Sequence, residues 1–245
     1  MDGAAVKELA ARFREPKEIG GFIVRPNDWS ADDPTALVKA GPSAESLKVY
    51  SLGAIRDYIK ANRDALPLAS LVVHVVSPQV VRVLGPIQSR ARNREGFIEA
   101  TAHNLTDGFL GKFTAIEEFI VGLQTRFALS DDRTQVLRLL SNVKHETVKT
   151  SQDDGMTQVV QAKAGVVLQQ EVPVPNPVTL TPYRTFREVT QPSSLFVLRV
   201  NSGRAGGLPE VGLFEADGGA WRLLAVEAIR DWLLHELADT VAVLA

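Results

Sequence analysis

Two runs of β-branched and apolar residues, Leu71 to Val76 and Val80 to Leu84, are separated only by Ser77-Pro78-Gln79. Proline suits the second position of a turn because its ring presets φ. The pattern therefore predicts an antiparallel hairpin in the first half of the chain, ended by Gly85-Pro86. Ile87 to Ala102 reads as extended chain, with Phe97, Glu99 and Thr101 facing opposite to Ile98, Ala100 and Ala102. A short strand, Leu47 to Tyr50, precedes this region. Ser51 is placed to cap a helix running to about Asn62, with Leu52, Ile55, Tyr58 and Ile59 on one face.

Further helices follow the hairpin. Thr114 and Glu117 have capping-box spacing at the head of a helix reaching Phe127, with Ile116, Phe119, Ile120, Leu123 and Phe127 as its apolar stripe. A second begins at Ser130. Asp131 and Asp132 sit at its positive end and Lys144 and His145 at its negative end. Val136, Leu137, Leu139, Leu140 and Val143 form its inner face. From Glu146 the pattern turns to strands: Glu146 to Gln152 and Met156 to Ala164 around the Asp154-Gly155 turn, then Val166 to Val174. Pro173, Pro175 and Pro177 oppose continued ladder pairing. Leu195 to Val200, Val211 to Glu215, Trp221 to Leu223 and Thr240 to Leu244 also read as strands. Between the last two, a helix turns Val226, Ile229, Leu233 and Leu237 inward. Gly203 to Gly207 is a loop.

The amino end differs. Residues 4–14 read as a short amphipathic helix. Residues 15–46 carry four prolines and Gly20-Gly21, and only Gly21 to Val24 looks strand-like. Such a stretch buries too little by itself to stay ordered and reads as an arm packed onto something else. The domain reading is a helix and extended arm over 1–46 and an α+β core over 47–245, with a protruding ribbon around 87–102. Ala54-Ile55-Arg56-Asp57-Tyr58-Ile59 is echoed by Ala228-Ile229-Arg230-Asp231-Trp232-Leu233. The echo is either a duplicated strand–helix–strand unit or two independent amphipathic helices.

The chemistry is read by elimination. The chain has 245 residues, no cysteine, four histidines and a net charge of −2. Disulfides, thiolate metal sites and cysteine nucleophiles are excluded, and the chain as a whole is not strongly basic. His74, His103, His145 and His235 show no metal-ligand spacing. Gly108 to Thr114 imitates a phosphate loop but is two residues short between its glycines. Glu215 and Asp217 lie on one side of a strand end, where a divalent ion is conceivable; local structural jobs are the alternative for these and the other carboxylate pairs. No catalytic, cofactor or metal site is assigned. The amino terminus lacks the basic-then-apolar pattern of a secretory signal. The most apolar run, Leu71 to Leu84, falls short of the ~20 apolar residues that span a bilayer. The expected location is cytoplasmic, with no membrane partner.

Two segments are candidates for contact. Arg90, Arg92 and Arg94 alternate, so an extended ribbon projects them from one face toward phosphates or a neighbouring subunit's carboxylates; a solvated face is the alternative. In Asn176 to Phe186, prolines hold the chain extended while Tyr183, Arg184 and Phe186 offer contact area and a fork of donors. That segment suits either an interface or an intramolecular crossover covering the sheet.

The carboxyl half carries Asn142-Val143-Lys144, Ser151-Gln152-Asp153-Asp154-Gly155, Val174-Pro175-Asn176-Pro177-Val178-Thr179-Leu180-Thr181-Pro182-Tyr183-Arg184-Thr185-Phe186, Glu188-Val189-Thr190-Gln191-Pro192 and Leu213-Phe214-Glu215-Ala216-Asp217-Gly218-Gly219-Ala220-Trp221-Arg222. These strings resemble the YfdQ-like family of phage and prophage proteins of unknown function, from about residue 110 to the end. The resemblance implies a phage or prophage origin and an intracellular role, and it carries over no catalytic residues.

The expected fold is α+β: mostly antiparallel sheet with three to four amphipathic helices packed on it, plus an extended amino-terminal arm. Arm, ribbon and central helix give an architectural analogy to shell-forming phage coat proteins. The expected function is non-enzymatic: a structural protein self-assembling into a symmetric homo-oligomer, such as a closed shell. The rival is a nucleic-acid-binding accessory of phage recombination or replication, using Arg90, Arg92, Arg94 and Arg184, whose affinity would fall steeply with salt. An enzyme with an unrecognised carboxylate site is the third reading.

Overall fold

The computed structural model describes the backbone of residues 17–19, 22–24, 38–39, 44–87, 93–143, 150–153, 158–164, 168–201, 209–238 and 240–245, with side chains over 44–87, 93–141, 174–201, 209–238 and 240–245. The chain divides into two compact units, residues 1–46 with 87–95 and residues 47–86 with 96–245. In the first, β1 (Lys17–Ile19), β2 (Phe22–Val24) and β3 (Val38–Lys39) form an antiparallel sheet in that order. The strand read at Gly21 to Val24 is β2. The helix read at residues 4–14 lies outside the described residues.

The second unit is an α+β body with two hydrophobic cores. One lies under a five-stranded sheet ordered β15-β5-β6-β7-β4. Its strands are β4 (Leu47–Val49), β5 (Val72–Ser77), β6 (Val80–Ile87), β7 (Arg94–Thr101) and β15 (Ala242–Leu244). The hairpin forms as the sequence predicts, with Val73 opposite Val83 and Val75 opposite Val81, although β6 runs through Gly85-Pro86 to Ile87. The edge strands β4 and β15 are both parallel to their neighbours. Period-2 alternation turns Val73, Val75, Val81, Val83, Ile98 and Ala100 inward.

Helices α1 (Leu52–Ala61) and α4 (Trp221–Leu237) cover that inner face. Ser51 caps α1 by accepting from the Ala54 N–H at 3.2 Å, and Asn62 ends it in the left-handed region. The sequence echo falls on these two helices. Ile55 pairs in role with Ile229 and Ile59 with Leu233, all buried in the same core. Arg56–Asp57 and Arg230–Asp231 are matching surface ion pairs. The preceding strand is matched only for α1: Trp221 to Leu223, read as a strand, is the first turn of α4. The Asp217 carboxylate accepts from the Gly219 N–H at 2.9 Å, and Gly218 and Gly219 turn the chain with φ of 63° and 81°. That geometry starts a helix where alternation alone suggested a strand.

The second core lies under a four-stranded antiparallel sheet ordered β12-β13-β14-β8. Its strands are β8 (Phe113–Ala115), β12 (Val178–Leu180), β13 (Ser194–Asn201) and β14 (Glu210–Glu215). Phe196, Leu198, Val200, Val211 and Leu213 face inward. They meet Phe119 and Leu123 of α2 (Ile116–Arg126) and Val136 and Leu140 of α3 (Asp131–Val143). Ser130 caps α3 through the Arg133 N–H at 3.1 Å. The capping box read at Thr114 and Glu117 does not form. Thr114 lies in β8 opposite Val211, its hydroxyl makes no side-chain cap, and α2 begins after Ala115. A third antiparallel sheet, β11-β10-β9, comprises β9 (Thr150–Asp153), β10 (Gln158–Ala164) and β11 (Leu168–Pro173). The α+β architecture, mostly antiparallel with amphipathic helices, is thus the observed one.

Phe109 enters the second core from the loop between β7 and β8, stacking on Phe119 at 5.3 Å. Its ring occupies the space beside Gly122 of α2. A Cβ there would lie 2.8 Å from Phe109 Cζ and nearer still to Cε2. Gly122→Ala should therefore cost about 1–3 kcal/mol of stability, the range for overpacked cores, despite alanine's better helix propensity. Urea denaturation checks this.

Candidate functional site

The segment from Thr181 to Gln191 has little regular structure and is stitched to its surroundings by hydrogen bonds. The Tyr183 N–H donates to the Arg126 carbonyl at 2.9 Å and the Leu105 N–H to the Tyr183 carbonyl at 3.0 Å. Gln79 Nε2 donates to the Arg184 carbonyl at 2.8 Å, and the Thr185 hydroxyl donates to the Pro78 carbonyl at 2.5 Å. The Gln191 side chain closes the segment on itself, accepting from the Arg184 N–H at 3.1 Å and donating to the Phe186 carbonyl at 2.8 Å. Val178 and Leu180, before it, belong to the four-stranded core; Phe186 and Val189, within it, belong to the five-stranded core.

Arg184 lies on the segment between these cores and is only 1% exposed. Its Nη1 donates to Glu215 Oε1 of β14 at 2.5 Å, and its Nη2 donates to the Ser194 hydroxyl of β13. Its guanidinium lies over the Trp221 ring of α4, 3.8 Å from the centroid. Burial pushes the guanidinium down to about 10, opposed by the charges of Glu215 and Asp217 and reinforced by nearby Arg222. It stays a cation at neutral pH. Burial pushes the Asp217 carboxyl up. Hydrogen bonds from Ser194 and the Gly219 backbone, the Arg184 charge and the Trp221 backbone outweigh that and hold it below the usual carboxylate range.

A cleft of about 410 Å³ opens beside this cluster. Its walls are the loop from Asn104 to Gly111, Phe214 and Glu215 at the end of β14, and Trp221 and Arg222 at the start of α4. Gly108 and Gly111 hold φ of 66° and 77°, and a Cβ at either would meet nothing within 4 Å. The phosphate-loop imitation is therefore a turn leading into β8, with no direct entry into a helix. Two buried N–H groups of the cluster, Arg184 Nε and Trp221 Nε1, have no hydrogen-bond partner. Burial without a partner costs a donor about 1–3 kcal/mol.

The contact candidates read from sequence separate here. Arg90 and Arg92 lie outside the described residues. Arg94 opens β7 and is exposed. Tyr183 is half-buried beneath the Arg187 guanidinium at 3.8 Å. Arg184 and Phe186 point into the protein, so this stretch has the geometry of the intramolecular crossover, not of an exposed contact strand. Glu215 is occupied by a guanidinium and Asp217 by backbone N–H groups at the start of α4. Among the described residues no three His, Cys, Asp or Glu side chains come together as a metal site. The Arg184–Trp221 pairing was invisible in sequence because 37 residues separate the two and neither belongs to a spaced motif.

A surface feature was also missed. Phe113, Leu195, Val197, Arg199, Gly212 and Phe214 share the outer face of the four-stranded sheet, as the registers Thr179–Leu195, Val197–Phe214, Arg199–Gly212 and Gly212–Phe113 require. The Phe113 and Phe214 rings meet edge to face at 5.6 Å over Gly212, where a Cβ would lie 2.7 Å from Phe214 Cε2. Phe113 and Leu195 are 41% and 45% exposed. The outer face of the five-stranded sheet instead carries a charged ladder: Lys48 to Glu99 at 2.9 Å and Arg82 to Glu99 at 2.5 Å. Among the described residues, no helix is long and apolar enough to cross a membrane.

No protein-family model matches the chain, and neither a curated protein nor a solved structure matches it.

Two outcomes follow from the Arg184 cluster. Glu215→Gln leaves a buried guanidinium without its carboxylate and should cost about 2 kcal/mol, less than a fully buried pair because Glu215 is partly solvated; thermal unfolding checks this. Asp217 has a lowered folded pKa. Its stabilisation is complete above the ordinary carboxylate range and is lost as pH falls through the lowered value. Asp217→Asn should flatten the acid limb of the stability–pH curve, measured by urea unfolding at a series of pH values.

Proposed function

We propose that this chain is a non-enzymatic structural subunit, of the phage or prophage origin its sequence resemblance implies, that assembles with copies of itself in the cytoplasm. The observation that carries this reading is the apolar stripe on the outer face of the four-stranded sheet. Exposed apolar patches mark interaction surfaces, and here Phe113 and Leu195 reach solvent with half-buried Val197 and Phe214 between them. A self-contact across a two-fold axis sets such a stripe against its own image and needs no second chemistry.

The sheet edges add support. Leu47 on the edge strand β4 and Leu244 on the edge strand β15 are more than half exposed, next to backbone positions that can extend a ladder. The amino-terminal unit adds more: its strands of two and three residues are short for independent stability. A shell is the assembly this reading favours, by the architectural analogy of arm, ribbon and helix.

Size-exclusion chromatography with light scattering, followed by electron microscopy of the peak, should show a large symmetric particle indifferent to DNA. Leu195→Glu should shift that peak toward protomers while circular dichroism stays unchanged. A monomer that retards single-stranded DNA, with affinity falling steeply as salt rises, would overturn this reading in favour of a nucleic-acid-binding accessory.

A further inference from the structure

The cleft beside Arg184 is lined by two residues that each carry a buried donor without an acceptor. Arg184 Nε and Trp221 Nε1 are unpaired, though their residues are 1% and 5% exposed. Arg222, exposed on the first turn of α4, lies 5.2 Å from the Trp221 ring centroid and close enough to Arg184 to lower its pKa. Two guanidiniums thus flank one indole. Glu215 is engaged by Arg184, and Asp217 by N–H and hydroxyl donors.

The charge balance narrows what belongs there. With Glu215 engaged by Arg184, the cation left to meet a ligand is Arg222, while Asp107 on the cleft wall and Asp217 close by oppose a second negative charge. A singly charged oxyanion fits this balance and a phosphate dianion does not. Leu110, Phe214 and Trp221 add apolar wall, and the volume lies within the range of small-molecule sites.

We infer that this cleft binds a monocarboxylate with an apolar body, its carboxylate paired with Arg222 and taking up the N–H groups of Trp221 and Arg184. Both N–H groups are closed to bulk water. Reaching them requires a side-chain movement, and the exposed Arg222 beside the same indole is the group an incoming carboxylate would draw aside. Binding then recovers the desolvation cost of two orphaned donors, which a surface arginine alone could not offer.

The test uses the full chain labelled with ¹⁵N and follows the Trp221 indole N–H resonance, assigned with Trp221→Phe. Sodium hexanoate should move that resonance saturably. Hexanamide, the neutral isostere, should bind at least tenfold more weakly. Arg222→Gln should weaken hexanoate roughly tenfold, the loss of one charge-assisted hydrogen bond, with no change in melting temperature. A short peptide with a free carboxyl terminus, set against its amidated twin, separates a chain-terminal ligand from a free acid: tighter binding than hexanoate assigns the former, weaker binding the latter. An unmoved indole resonance, equal binding of hexanamide, or an Arg222→Gln variant with unchanged affinity would overturn the inference. This readout is independent of particle mass, so its failure and the failure of self-assembly are separately visible.

Discussion

A buried guanidinium needs partners, and Arg184 finds them on three elements at once, with its Nε alone left unpaired. Its charge meets Glu215 on β14, its second amino group meets Ser194 on β13, and its planar face meets Trp221 on α4. β13 and β14 belong to the four-stranded sheet, and α4 covers the five-stranded one. The cation therefore ties two layers that otherwise have separate hydrophobic cores. A well-packed apolar residue would do as well for stability alone. An arginine does something an apolar residue cannot: its fork prescribes which strand end and which helix start must come together.

The backbone around Arg184 shows the same economy of position. The crossover from Thr181 to Gln191 has few ladder partners, yet its polar groups are met by the α2 terminus, by the β5–β6 turn and by Gln191. Irregular chain inside a protein is tolerated only with such accounting. The same stitching places Phe186 in one core just after Leu180 has served the other. The cleft is a by-product of this join. Where two layers meet along a short polar seam, packing leaves space, and the residues that carry the leftover donors line it.

The two sheets treat their outer faces differently. Glu99 gathers Lys48 and Arg82 on the five-stranded sheet, a solvated arrangement worth little energy but well suited to water. The four-stranded sheet shows water Phe113, Leu195 and part of Phe214. Gly212, with no side chain, leaves room for the two rings to meet edge to face over the strand. One face is charged and the other largely apolar.

Local pattern carried most of the elements. The β-branched runs around Ser77-Pro78-Gln79, the Ser51 and Ser130 caps and the inward stripes of α1 to α4 depend on neighbours a few residues away, so alternation and capping chemistry reveal them directly. It failed where a residue had two local options. Thr114 could cap a helix or join a strand, and pairing with Val211 decided for the strand. Trp221 could begin a strand or a helix, and Asp217 with two left-handed glycines decided for the helix. The candidate site lay beyond such reading altogether. Arg184 looks the same in sequence whether it faces solvent or a core. Only the meeting of two sheets and α4 removed it from water, left two of its cluster's donors unpaired, and opened a cleft beside them, because burial and partner choice are properties of contacts between distant segments.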